Sequence, residues 1–376
     1  MTNTIENIID LAIQIQQIAA PTFHEQERAK FVSKLFENEG LKDVSIDEAG
    51  NVYGKWKAKG EKRKDAKPLI ISAHLDTVFP FEMDLSVTRE QDKVFGIGIG
   101  DNSLGVAGLF GILWILRERN IELGGGIWFV ANTGEEGLGD LVGMKAVVDR
   151  FGEDVLAYLV LEGMALGHVY HKAVGVKRYR VTARTRGGHS WSDYGQPSAV
   201  LELSKLVVQL SSLKLPARPR TTINVGKIQG GTSINAIPAE AWLELDLRSE
   251  GQEELAELVK GVELLIEAAG KPGVSIETEV IGARPAGEIS ARHPLVRLAQ
   301  ACLHEQGLEP VLTSGSTDAN IPLSKGIPTL VLGVSKGGGA HTKGEFIETQ
   351  PVEKGMEHLV SFVEKVWDQK IRTTRL

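Results

Sequence analysis

The sequence predicts an α/β protein interrupted by an α+β insertion, and three observations predict it. Short apolar runs without alternation recur between helical segments through residues 1–172. Over 173–287 the texture changes to strict apolar–polar alternation, and from 288 to 376 the first texture returns. Unalternating runs suit strands covered on both faces, and alternation suits strands with one wet face. A chain of 376 residues is long for one domain and ordinary for two. The simplest organisation is one domain made of 1–172 and 288–376, with a second, 173–287, inserted into it.

The elements follow in order. Ile5, Ile8, Ile9, Ala12, Ile15 and Ile18 fall at helical spacing before Pro21 ends the run. A second helix is expected from His24 to Asn38, closed by Gly40, and then a strand pair, Val44–Asp47 and Asn51–Lys57, around Glu48-Ala49-Gly50. Lys59–Lys67 reads as a solvated charged loop. A buried strand, Leu69–Ala73, runs into His74-Leu75-Asp76. Glycine-rich sequence from Gly96 leads into a helix ending near Asn120. The strand Ile127–Ala131 ends at Thr133-Gly134-Glu135-Glu136; after a helix around Met144–Phe151, the strand Ala157–Leu161 ends at Glu162. In the insertion, Tyr179–Ala183 and Ala241–Leu247 alternate, with helices expected at Ser198–Leu210 and Glu253–Ala269. The last part offers a helix His293–Gln306, a strand Pro328–Leu332, a glycine cluster with His341, and a helix Val352–Trp367.

Composition narrows the function. A formal net charge of −7 argues against a nucleic-acid binder, which carries a basic surplus. The single cysteine, Cys302, allows no intramolecular disulfide and no thiolate-built zinc site, and fits a reducing compartment. Its apolar neighbours read as core. The N-terminus has no basic leader with an apolar core, so a cytoplasmic protein is expected. The most apolar stretch, Val106–Leu116, is too short to cross a membrane.

Three buried strands ending in histidine or carboxylate are the informative feature, because ligands in open α/β sheets collect at the carboxyl ends of strands. In an extended segment His74 and Asp76 point to the same side. Asp76 could then take the spare ring N–H of His74 and leave the other nitrogen for a metal. Asp101, preceded by Gly98 and Gly100, could equally be a turn aspartate. Glu135-Glu136 would repel each other unless a positive charge lies beside them, or unless they form a solvated acidic loop. Glu162 and His341 are weak singly. Together these residues supply two histidines, several carboxylates and no cysteine, the ligand set of a pair of zinc-like ions that keep water as the reactive group. His168 and His171 have a suggestive spacing, but their neighbours do not look helical.

These segments resemble the co-catalytic zinc aminoacylase/carboxypeptidase family, which includes glutamate carboxypeptidase, acetylornithine deacetylase, succinyl-diaminopimelate desuccinylase and peptidase T. The resemblance rests on SAHLDTV (72–78), GDNSLGVAG (100–108), NTGEEG (132–137), LEG (161–163), GGHS (187–190) and AHTKGEFI (340–347), in matching order. It implies a mixed-sheet zinc-peptidase catalytic domain with an inserted lid/dimerisation domain. It further implies that His74 and Glu162 bind one ion, Glu136 and His341 the other, and that Asp101 bridges them. The ions would be zinc, with cobalt or manganese as substitutes. Glu135 would be the general base and Asp76 the partner of His74. His189 would be a lid residue reaching a neighbouring active site across a homodimer, and Asn235 and Arg248 would hold the substrate's carboxylate. The implied substrate is a small peptide or N-acyl amino acid, with no nucleic acid or membrane partner. Glu162, where aminopeptidase-like members carry Asp, leans toward a carboxypeptidase or deacylase and away from a peptidase T-like tripeptidase.

Two other classes compete. A serine hydrolase would need Gly-x-Ser-x-Gly, which does not occur. A non-catalytic metal- or peptide-binding homologue would have lost Glu135 or a ligand. The run Gly96-Ile97-Gly98-Ile99-Gly100 lacks the third-glycine spacing of a dinucleotide fingerprint.

Overall fold

The computed structural model describes residues 2–57 and 66–369. Most of the charged loop expected at Lys59–Lys67 lies outside the described residues. The chain forms two compact units, Met1–Ala173 with Glu288–Leu376, and Val174–Gly287.

The first unit is built on a mixed sheet. Its strands run in the order Lys42–Ile46, Val52–Trp56, Ile127–Asn132, Leu69–His74, Ala157–Glu162, Thr329–Gly333, His168–Ala173, and Val311–Gly315 also pairs with the last. The four strands from Ile127–Asn132 to Thr329–Gly333 are mutually parallel, while Lys42–Ile46 and Val52–Trp56 form an antiparallel pair. The central strands are apolar at nearly every position because helices cover both faces; Leu69–His74 is buried along its whole length. Parallel pairing sets their carboxyl ends side by side. His74 is level with Asn132, and the register Ser72 to Val160 puts Glu162 level with His74 two residues on.

The N-terminal helix, Thr2–Gln16, buries Ile8, Leu11, Ala12 and Ile15 on one stripe. The helix Leu104–Glu118 is apolar all round because it is a core helix. Together with the irregular coil that precedes it, Ile99–Glu118 makes a 20-residue segment long and apolar enough to cross a membrane, with 89% of its most apolar window buried inside the protein. The stretch thus runs longer than Val106–Leu116, since Ile99–Ser103 coils into it. His168–Ala173, whose neighbours do not look helical from sequence, is a strand; His171 is buried with Nδ1 2.7 Å from the Ile289 carbonyl, and belongs to neither candidate metal group.

The second unit is an antiparallel sheet, in the order Thr221–Gly230, Glu240–Ser249, Gly175–Thr185, Val274–Arg284. Tyr179, Val181, Ala183, Leu243, Leu245 and Leu247 alternate inward against the helices Ala199–Ser211 and Gln252–Ala269. Ser198 caps the first of these helices, its hydroxyl accepting the Leu201 N–H.

Candidate metal centre

His74 closes its strand with a side chain only 1% exposed. Its Nε2 lies 3.1 Å from Asp101 Oδ1 and 4.0 Å from Glu162 Oε2. Its Nδ1 lies 3.1 Å from the Asp76 main-chain oxygen and 3.5 Å from the Asp76 carboxylate. The main-chain oxygen is therefore the better acceptor for the ring N–H. The Asp76 carboxylate serves the next loop instead, accepting the Glu135 N–H at 2.9 Å, the Glu136 N–H at 2.8 Å and the Thr22 hydroxyl at 3.0 Å.

Asp101 sits in the coil leading into the apolar helix, at φ −120°, ψ 85°, and its peptide bond to Asn102 is cis. Gly98 reaches φ 72°, a turn that favours glycine, and a Cβ there would strike Thr77. Asn102 ties this coil to the end of the Glu162 strand, donating to Leu161 O at 2.8 Å and accepting Gly163 N–H at 3.0 Å. The second Asp101 oxygen, Oδ2, lies 3.0 Å from His341 Nε2, and the same nitrogen lies 2.9 Å from Glu136 Oε1. His341 holds φ 62°, a left-handed conformation uncommon for a residue with a side chain and often met at functional sites. Thus His74, Asp101 and Glu162 form one group, and Asp101, Glu136 and His341 another, each able to hold a metal ion, with Asp101 common to both.

The electrostatics describe a site short of positive charge. Burial, followed by the charges of Asp101 and Glu135, pushes Glu136 up to about 8. Burial also raises Glu162 well above the carboxylate range, with Asp101, Glu135 and Asp318 adding to it against His74. Asp101 goes the other way: burial opposes its charge, but hydrogen bonds from His341 and His74 hold it well below the usual range. His341 rises to about 9, chiefly through its bond to Asp101. Burial works against a charged His74, yet Asp101 and Asp76 raise it well above its ordinary value. Buried carboxylates that repel one another in this way are stabilised in their charged form by a cation held between them. The nitrogen and oxygen donors, with no sulfur, fit divalent zinc, cobalt or manganese.

Several residues around the site had no individual role assigned from sequence. Arg28, fully buried, donates to the Ile18 carbonyl and at 2.6 Å to the Leu75 carbonyl, bracing the His74–Asp76 segment. Glu25 accepts the Gly134 N–H at 3.1 Å. Asp318, fully buried, takes the Asn132 amide at 2.7 Å, and burial with the Glu135 charge pushes it up to about 7. Each lies in a polar stretch of the sequence, which gives no sign that the side chain is buried or of its partner.

Three expected site residues lie in the second unit. His189 and Asn235 come together there, because Gly188–His189 pairs with Ala236–Ile237 and Ser190 N–H donates to Asn235 O at 3.0 Å. The exposed His189 ring accepts the Trp191 N–H at 3.2 Å and the Ser192 N–H at 3.4 Å on Nδ1, which leaves the proton on Nε2. Arg248 is ion-paired through Nε with Asp246 at 2.6 Å. It is eight residues along the strand from Glu240, about 26 Å at the usual strand rise, whereas Asn235 lies beyond the Glu240 end. Within one unit, Arg248 and Asn235 are thus separated by most of the length of that strand.

A cluster of candidate metal ligands at the carboxyl ends of the parallel central strands, with paired carboxylates beside it, is an arrangement suited to a metallohydrolase. The chain belongs to peptidase family M20/M25/M40, whose family model matches residues 70–365. It is 26% identical to the Bacillus subtilis protein YqjE over 96% of this chain and 98% of that one. It is also 26% identical to carboxypeptidase G2 of Pseudomonas, over 83% of this chain and 76% of that one. Among solved structures, a Staphylococcus aureus tripeptidase superposes with a TM-score of 0.82 at 22% identity, covering 97% of this chain and 99% of that one. Bacillus subtilis YXEP, a dinuclear metal-binding peptidase of the M20 family, superposes at 0.71 with 16% identity, covering 98% and 99%. The protein is an M20-family hydrolase of the peptidase/amidohydrolase type.

Proposed function

We propose that this chain cleaves the amide bond of a small carboxylate-bearing peptide or N-acyl amino acid with two divalent cations, zinc by default. His74 and Glu162 would hold one, Glu136 and His341 the other, and Asp101 both. One observation carries this: the two oxygens of Asp101 face two different histidines, at 3.1 Å and 3.0 Å. When bound, the cations supply a water of lowered pKa and charge to stabilise the carbonyl oxygen as it becomes negative.

The remaining chemistry belongs to side chains. Glu135 is buried beside Glu136 and anchored through its N–H on Asp76. Its carboxylate would take the proton of the attacking water and pass it to the leaving nitrogen. His189, with its proton on Nε2, would donate to the developing oxyanion, a contribution of about 3–4 kcal/mol for a preorganised donor. Because Arg248 lies near the far end of the strand that begins at Glu240 and Asn235 lies beyond its near end, holding one substrate with both would take two copies of the chain. This supports a homodimer in which the inserted unit of one copy serves the other. A single buried cysteine is in keeping with a cytoplasmic setting.

Carboxypeptidase G2 among the relatives and Glu162 support a carboxypeptidase or deacylase over a tripeptidase, whose likeness is one of fold. The test presents one substrate as free acid and as C-terminal amide, each with and without N-acylation. Loss of cleavage on amidation, with N-acylation tolerated, is expected. Efficient cleavage of the amide together with an absolute need for a free amino group would replace this reading with the tripeptidase one.

A further inference from the structure

Glu345 is a fully buried carboxylate that belongs to neither candidate metal group. Its Oε1 accepts the Gly100 N–H at 2.8 Å and the Asp101 N–H at 2.9 Å, and its Oε2 accepts the Gly98 N–H at 3.0 Å. Its own main-chain oxygen takes the Gly96 N–H at 3.0 Å. One residue therefore receives four backbone donors from the turn that carries Asp101. The strand Phe346–Glu348 follows directly and pairs antiparallel with Lys93–Phe95, Phe346 opposite Phe95, so the carboxylate arrives in a fixed register. Four positions before it stands His341, whose ring meets the other end of Asp101.

The turn needs such a partner. Gly98 at φ 72° and Asp101 outside the helical region leave the amides of Gly98, Gly100 and Asp101 aimed away from any helix or strand ladder. Buried N–H groups without acceptors are costly. A neutral glutamine would be cheaper to bury, but it offers one acceptor oxygen and would turn its NH₂ toward an N–H. A carboxylate offers two oxygens in the fork that three converging donors require.

We propose that Glu345 is a positioning residue that fixes Asp101 between the two histidines before any ion arrives, so that the dinuclear site is preformed. It acts on the ions only through the backbone of Asp101. The proposal rests on the reading of Asp101 as the shared ligand. A residue that merely filled the core would affect stability alone; a positioning residue affects affinity for both ions, since both use Asp101.

The experiment titrates metal-free protein with Co²⁺, followed by calorimetry and by the visible absorption of bound cobalt. Wild type, Glu345→Gln and Leu303→Ala are compared. Leu303 is fully buried in the helix Pro294–Glu305, outside the candidate centre, and its truncation controls for general destabilisation. Glu345→Gln should weaken both cobalt sites roughly 10- to 100-fold, as loss of a ligand's supporting hydrogen bonds does, with an altered absorption band. Leu303→Ala should bind as wild type does. Two sites of wild-type affinity in Glu345→Gln, or an equal loss in Leu303→Ala, would overturn the proposal. If Glu345→Gln does not fold, amide exchange in metal-free wild type decides: Gly98, Gly100 and Asp101 should be protected before cobalt is added. Free exchange until cobalt binds would overturn preformation. Wild type that binds no cobalt would instead sink the dinuclear reading itself, which is a distinct result.

Discussion

Replacing Asp76 with alanine separates the two jobs its position suggests. The carboxylate accepts the N–H groups of Glu135 and Glu136 in a buried loop. Alanine leaves both without an acceptor, at about 1–3 kcal/mol each, so roughly 2–6 kcal/mol of stability is at stake. That is a large share of a typical 5–15 kcal/mol. The His74 ring loses less, because its Nδ1 lies nearer the Asp76 main-chain oxygen, at 3.1 Å, than the carboxylate, at 3.5 Å, and alanine retains the former. The damage should fall on Glu136 and hence on the Asp101–Glu136–His341 group. Urea unfolding of the metal-free variant should show the stability loss. Metal titration should show one site weakened roughly 10- to 100-fold and the His74–Asp101–Glu162 site much less changed. An unchanged unfolding midpoint, or equal weakening of both sites, would refute this account of Asp76.

Glu135→Gln should retain both ions while turnover falls about 10²- to 10⁴-fold, the usual worth of a general base; metal loss matching that of His341→Ala would show the roles of Glu135 and Glu136 to be reversed. His189→Ala should lower kcat more than tenfold at unchanged metal content. Mixing inactive Glu135→Gln with inactive His189→Ala protein should restore activity once subunits exchange, and no recovery after demonstrated exchange would assign His189 to its own chain's centre.

The buried strands of the first unit were legible because burial on both faces leaves an uninterrupted apolar run, as in Leu69–Ala73 and Ile127–Ala131. Where those runs stop, at His74 and Glu162 or shortly before Glu135-Glu136, a polar residue stands out against its surroundings. Asp101 and His341 carry no such contrast and depended on the family resemblance for their place. The structure brings His74, Asp101, Glu136, Glu162 and His341 together. The edge strands Thr221–Gly230 and Val274–Arg284 were missed because their mostly solvated residues blur the apolar signal. Thr22, Arg28, Asn102 and Glu345 escaped for a different reason. Thr22 meets a side chain 54 positions away, and the others act on remote backbone groups, Glu345 on a turn some 245 positions away; a backbone group leaves no mark in the sequence.

The central claim is a pair of divalent cations sharing Asp101, and metal analysis of the purified protein tests it most directly. Two equivalents of zinc, cobalt or manganese per chain are expected in wild type, fewer than one in Asp101→Ala, and loss of turnover on exhaustive chelation with recovery on adding metal back. Full turnover on the true substrate after both ions have been stripped would contradict the account.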